Sequence, residues 1–167
     1  MKERLVPRAR PDDTTLGTDK EPIASNESNM CVQESKEVFT DSAEVIGPRD
    51  TALYLEAMPL SCSVLTSYDA EAKVAGMAHI SISALEESTD ITIVELQAKL
   101  EAAGSNVQKS TLRYFTHIGL EDQNADIADS LERRGATVPP PEPFPEQARL
   151  VVRIDKHTGA VDFKSPE

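Results

Sequence analysis

The chain has 167 residues, 39% of them hydrophobic and only 4% aromatic, which is one domain's worth of sequence with enough apolar material for a core. Its 17 Lys and Arg against 29 Asp and Glu leave a net charge of −12, a field that repels phosphate backbones and predicts no nucleic-acid partner. No apolar run reaches membrane-span length and Met1–Arg8 lacks the apolar core of a secretory signal, so no membrane insertion and a cytoplasmic location are expected.

Residues 1–36 read as a disordered tail, because segments such as Pro11–Pro22 and Ser25–Asn29 have almost nothing to bury. Residues 37–167 then form the folded domain. Glu37–Thr40 and Thr51–Met58 are predicted strands, separated by the turn Gly47-Pro48-Arg49-Asp50. Ser61–Ser81 follows as a hairpin. With its turn at Asp69–Ala72 and Tyr68 paired to Lys73, the register sets Val64 opposite Met77 and Cys62 opposite His79. Thr92-Ile93-Val94-Glu95 has the form of a capping box, opening a helix whose Ile93, Leu96, Leu100 and Ala103 share a face and which ends at Gly104. Leu112–Leu120 is a predicted strand, and Ala125–Arg134 a second helix with Ile127 and Leu131 inward. The run Val138–Pro145 must be extended, since proline fixes φ and offers no amide donor; it is expected as a surface connector with Phe144 tucked inward. A terminal hairpin joins Leu150–Ile154 to Ala160–Phe163 through a turn containing Gly159.

The chemistry concentrates in the first hairpin. A thiol beside an imidazole is a standard way to generate a nucleophile near neutral pH, and directly opposed strand residues place their Cβ atoms about 5 Å apart. Cys31, in a polar stretch, has no such neighbour. Taken singly, Cys62 reads as a small buried hydrophobe and His79 as a hydrogen-bonded core imidazole, so the catalytic reading rests on their register. His79, His117 and His157 lack metal-ligand spacing, no glycine-rich phosphate loop is present, and no Gly-x-Ser-x-Gly elbow supports a serine triad; neither metal nor organic cofactor is expected.

Ser61-Cys62, the strand to Tyr68, the turn from Asp69 to Val74 and Gly76-Met77-Ala78-His79 resemble the signature of the CheD family, bacterial proteins that deamidate chemoreceptor glutamines. The resemblance extends more loosely over residues 37–164. It implies an α+β fold of layered mixed and antiparallel β-sheets with helices packed on one side, the CheD-like sandwich. It also implies a protein-glutamine deamidase in which Cys62 is the nucleophile, His79 the base, and the region of Ser61 and Ser63 the oxyanion site. The substrate would be a protein presenting a glutamine, with a regulatory protein partner a further expectation. Where the family has a threonine as third member this chain has Glu56, a candidate to orient His79; in related cysteine deamidases a main-chain carbonyl does the orienting. Two alternatives stand beside this reading: a secreted bacterial effector deamidating a host protein, and a non-catalytic CheD-like binding module.

Overall fold

The computed structural model describes residues 34–146 and 149–166. Nine strands and two helices follow in the order β1 (Ser35–Glu37), β2 (Ser42–Ile46), β3 (Tyr54–Ala57), β4 (Cys62–Asp69), β5 (Val74–Ser81), α1 (Glu86–Ala102), β6 (Thr111–Thr116), α2 (Glu121–Arg133), β7 (Pro141–Pro143), β8 (Val151–Asp155) and β9 (Val161–Lys164). They build two mixed sheets, β1-β3-β8-β9 and β2-β5-β4-β6-β7. The fold is the expected α+β arrangement, with both helices on one side.

The central strands β4 and β5 are buried on both faces, and alternate residues serve two cores. Leu65, Ala78 and Ile80 face the helices, meeting Ile93, Leu96 and Leu100 of α1 and Ile127 and Leu131 of α2. Val64, Ala75 and Met77 face the second sheet, meeting Leu55, Ala57, Val152 and Ile154. Gly76 marks the closest approach of α1 to the sheet. A Cβ there would lie 2.4 Å from Ser67 Oγ and 2.9 Å from Leu96 Cδ1, so the helix seats where the strand has no side chain.

Several expected boundaries move. Ser35 and Lys36 belong to the fold, because β1 pairs in parallel with β3 through main-chain bonds that its polar sequence does not advertise. The rest of the predicted tail, residues 1–33, lies outside the described residues, and Cys31 with it. Strand β2 replaces the expected Glu37–Thr40 strand; the chain crosses between the sheets over Val38–Asp41, with Asp41 in the left-handed region (φ 56°). Helix α1 begins at Glu86 rather than at Thr92: the Thr92 hydroxyl donates to the Ser88 carbonyl (3.1 Å), so the capping-box pattern lies inside the helix. The proline run supplies β7, an edge strand parallel to β6 where missing amide donors cost nothing, and Phe144 stacks on Phe115 (ring centroids 6.2 Å).

Candidate functional site

The hairpin turn decides which residues meet. Asp69 Oδ1 accepts the Glu71 and Ala72 amides at 3.0 Å each, while Oδ2 accepts the Ser105 hydroxyl at 2.6 Å. With Lys73 in the left-handed region (φ 57°), the loop becomes Ala70–Lys73 and Asp69 pairs with Val74. This corrects the predicted register by two positions: Cys62 pairs with Ser81, and Val64 with His79. An even slip keeps every side chain on its face. Cys62 and His79 therefore share the face toward the second sheet as diagonal neighbours, a placement that sets Cβ atoms roughly 7 Å apart.

His79 is nearly sealed, at 4% exposure, and its ring is oriented from the main chain. Nδ1 lies 3.0 Å from the Val38 carbonyl, which can only accept, so Nδ1 carries the proton and Nε2 keeps its lone pair. Val38 is itself fixed, because its amide donates to the Glu56 carbonyl (2.7 Å) as β1 runs into the crossing segment. Burial pushes the His79 pKa below its ordinary value, against the Val38 carbonyl and the charges of Asp41 and Glu37. At pH 7 the imidazole is neutral, the form a general base requires. Nε2 is buried without a hydrogen-bond partner; Cys62 Sγ does not bond it. The thiol is free and sits just beneath the surface at 7% exposure.

The other predicted residues separate. Glu56 lies between the inward-facing Leu55 and Ala57 on β3, so its side chain leaves the opposite face of the sheet, where Oε1 pairs with Lys164 Nζ at 2.8 Å. It does not orient His79; the strand's alternation turns it away, and the Val38 carbonyl occupies that position. Ser63 likewise points away from Cys62. Its hydroxyl donates to Gln123 Oε1 (2.6 Å) and lies within reach of Thr116 Oγ1 (3.0 Å) and the Tyr114 hydroxyl (3.2 Å), in a buried network beneath α2. Its side chain thus belongs to the α2 contact, not to an oxyanion site. Ser61 is exposed beside Cys62, and its carbonyl accepts the Ile82 amide (3.4 Å).

Three contributors had no signal in the sequence. The Val38 carbonyl is main chain and carries no residue type. Gln123 ties the ends of both hairpin strands, accepting from Ser63 while its Nε2 donates to the Ser81 carbonyl at 2.6 Å. His117 places Nε2 3.1 Å from the Pro59 carbonyl, steadying the loop that leads into Cys62, and rests 4.9 Å from the Phe144 ring. His157 is exposed in the terminal turn. Among the described residues no three His, Cys, Asp or Glu side chains are grouped to hold a metal ion, and no helix is long and apolar enough to cross a membrane.

Two open clefts, of about 670 and 650 Å³, lie elsewhere. One runs between β2 and the C-terminal end of α1, and the other is lined by Glu37, Glu56 and Lys164. Neither includes Cys62 or His79. Comparison with protein-family models gives no match, and no curated protein matches the chain.

Proposed function

We propose that this chain is a protein-glutamine deamidase of the CheD-like kind, with Cys62 as nucleophile and His79 as general base. The observation that carries the reading is the His79 ring: Nδ1 is fixed by a main-chain carbonyl, leaving a buried, unpartnered Nε2 lone pair on the face that Cys62 shares. An orphaned acceptor inside a protein costs free energy, about 1–3 kcal/mol, and a thiol proton brought up by substrate binding would satisfy it. Thiol–base hydrogen bonds are commonly long before substrate arrives.

In the reaction, Nε2 takes the Cys62 proton and the thiolate attacks the carboxamide carbon of a substrate glutamine. Main-chain amides around Ser61 and Cys62 would receive the oxyanion. The imidazolium returns its proton to the departing amine, ammonia leaves, and His79 then activates water to hydrolyse the thioester, giving glutamate and the free thiol. No cofactor takes part. A thiol just beneath the surface at the end of a sheet suits a side chain offered by a polypeptide better than a small free amide. A reducing compartment such as the cytoplasm would keep the thiol competent; a secreted effector would use the same chemistry on a host protein.

The test is ammonia release from casein at neutral pH. Wild-type protein should release ammonia, Cys62→Ala none, and His79→Ala about a hundredfold less, the contribution typical of a positioned base. Equal release by wild type and Cys62→Ala would overturn the assignment. The burial of the thiol favours a second reading, a non-catalytic binding module. Iodoacetamide separates the two: a module leaves Cys62 unmodified at pH 7 while the fold is intact, and an enzyme does not.

A further inference from the structure

Four loops, taken with the strand and helix ends they join, converge at the end of the five-stranded sheet where β4 begins and β5 ends. They are 38–42, 58–63, 79–88 and 116–124. Each sets a large apolar side chain in solvent: Phe39 (66% exposed), Leu60 (64%), Ile82 (43%) and Ile118 (93%). Exposed apolar residues scattered singly call for no explanation, but these four, with Met58 and Leu85 exposed on the same loops, gather at the end of the sheet where Cys62 lies. Main-chain and side-chain hydrogen bonds hold them together, the Asp41 amide donating to the His79 carbonyl (2.7 Å) and the Asp41 carboxylate accepting the Ser81 amide (2.8 Å). The Ile82 amide donates to the Ser61 carbonyl, Ser42 bonds the Phe39 carbonyl, and His117, next to Ile118, reaches the Pro59 carbonyl beside Leu60.

Charge on these loops has one sign. They contain no lysine or arginine, and they carry Asp41, Glu86, Glu87, Glu121 and Asp122, all exposed. Four of the five complement the first turns of α1 and α2, whose macrodipoles contribute about +0.5 each, and Arg133 at the end of α2 lies near Glu86, so the net charge of the rim stays negative. A second copy of this chain docking face to face would oppose these carboxylates to their own images, which disfavours self-association. Beneath the patch lies the unpartnered His79 Nε2.

We propose that this end of the sheet is a docking face for a polypeptide segment whose glutamine is flanked by apolar and basic side chains. The apolar neighbours cover Phe39, Leu60, Ile82 and Ile118, and the basic neighbours meet the acidic rim. The proposal rests on the deamidase reading for the identity of the glutamine, and on the patch and its charge for the flanks.

Binding is measured on full-length Cys62→Ala, which cannot turn over, with fluorescently labelled peptides carrying a central glutamine. One peptide has Leu and Lys flanks, a second Leu and Glu, a third Ser and Lys. The Leu/Lys peptide should bind about tenfold more tightly than either other, with the advantage over Leu/Glu shrinking as salt is raised. Adding Leu60→Ser and Ile118→Ser, both surface changes, should remove most of the advantage over Ser/Lys while circular dichroism is unchanged. Equal or absent binding of the three peptides, or no effect of the Ser substitutions, overturns the docking face. So does a homodimer by sedimentation that these substitutions dissolve. Ammonia release by the wild type separates the two ideas: tight, selective binding without release leaves the docking face standing and sinks the deamidase, whereas release without selectivity does the reverse.

Discussion

Gly76→Ala probes the seat of α1 on the strand that carries His79. The new Cβ would stand 2.4 Å from Ser67 Oγ, 2.9 Å from Leu96 Cδ1 and 3.3 Å from Leu100 Cδ2, so at least two neighbours must move. Ser67 can rotate its hydroxyl, which has no hydrogen-bond partner to lose, at about 0.5–1.5 kcal/mol for a poorer rotamer. Leu96 is fully buried in the helix core and must yield against its own helix, a form of overpacking that typically costs about 1–3 kcal/mol. Loss of glycine's freedom in the unfolded chain returns about 0.4–1 kcal/mol. The balance is a loss of about 1–3 kcal/mol, or roughly 4 °C in Tm for each kcal/mol in a domain of this size. Ser67→Ala alone should be neutral or slightly stabilising, since it removes an orphaned buried hydroxyl. The double variant Gly76→Ala/Ser67→Ala should therefore lose less than the sum of the two, with a coupling of about 0.5–2 kcal/mol. Thermal and urea unfolding of the four proteins measures this. A Gly76→Ala Tm at or above wild type would refute the close-approach argument, and strict additivity would refute the part played by Ser67.

Glu56→Gln should leave the rate and pH dependence of Cys62 alkylation unchanged and cost at most about 1 kcal/mol, because the carboxylate pairs with Lys164 on the far face of its sheet; a slowed or shifted profile would restore Glu56 to the site. The His79 pKa lies below the ordinary value of 6.5, so its contribution to stability is complete above that pH and is lost as pH falls through the folded value. His79→Gln should flatten that part of the Tm–pH curve, and wild-type deamidation should lose its base only below pH 6.5. Asp90, held well below the usual carboxylate range by the Ser130 hydroxyl (2.6 Å) and by Arg134 and Arg133 (2.9 Å each), ties α1 to α2. Asp90→Asn should cost about 1–2 kcal/mol near neutrality, after discounting for partial exposure. The deficit should shrink below about pH 3.9, where wild type loses the same contribution.

The hairpin was readable because Val64 and Leu65 on one strand and Val74, Met77 and Ile80 on the other flank an Asp turn. Its register was not, since the displacement by two depends on Asp69 bonding its own loop and reaching Ser105, a residue far along the chain. The parity of Cys62 and His79 survived that displacement; their direct opposition did not. Strand β1 was invisible for a different reason: Ser35-Lys36-Glu37 has no apolar residue and is held by main-chain pairing. Thr92 and Glu95 spelled a helix start within a helix whose true N-cap, Leu85, makes no side-chain capping bond. Glu56 showed how a residue placed by resemblance can fail on alternation alone, its side chain on the wrong face and only its carbonyl linked, through Val38, to the histidine.

That link gives the first strand a reach beyond its size. β1 spans three residues, has a single neighbour in its sheet, and runs directly into the residue whose carbonyl fixes His79. Short edge strands open at a small fraction of the cost of global unfolding. Each opening withdraws the acceptor from Nδ1, and the two neutral tautomers of the ring then compete on nearly equal terms. The address of one proton on an imidazole thus becomes a gauge of whether the first strand is docked, legible in the ring's nitrogen chemical shifts. Any force that peels back the beginning of the domain is felt at the base as soon as Val38 shifts.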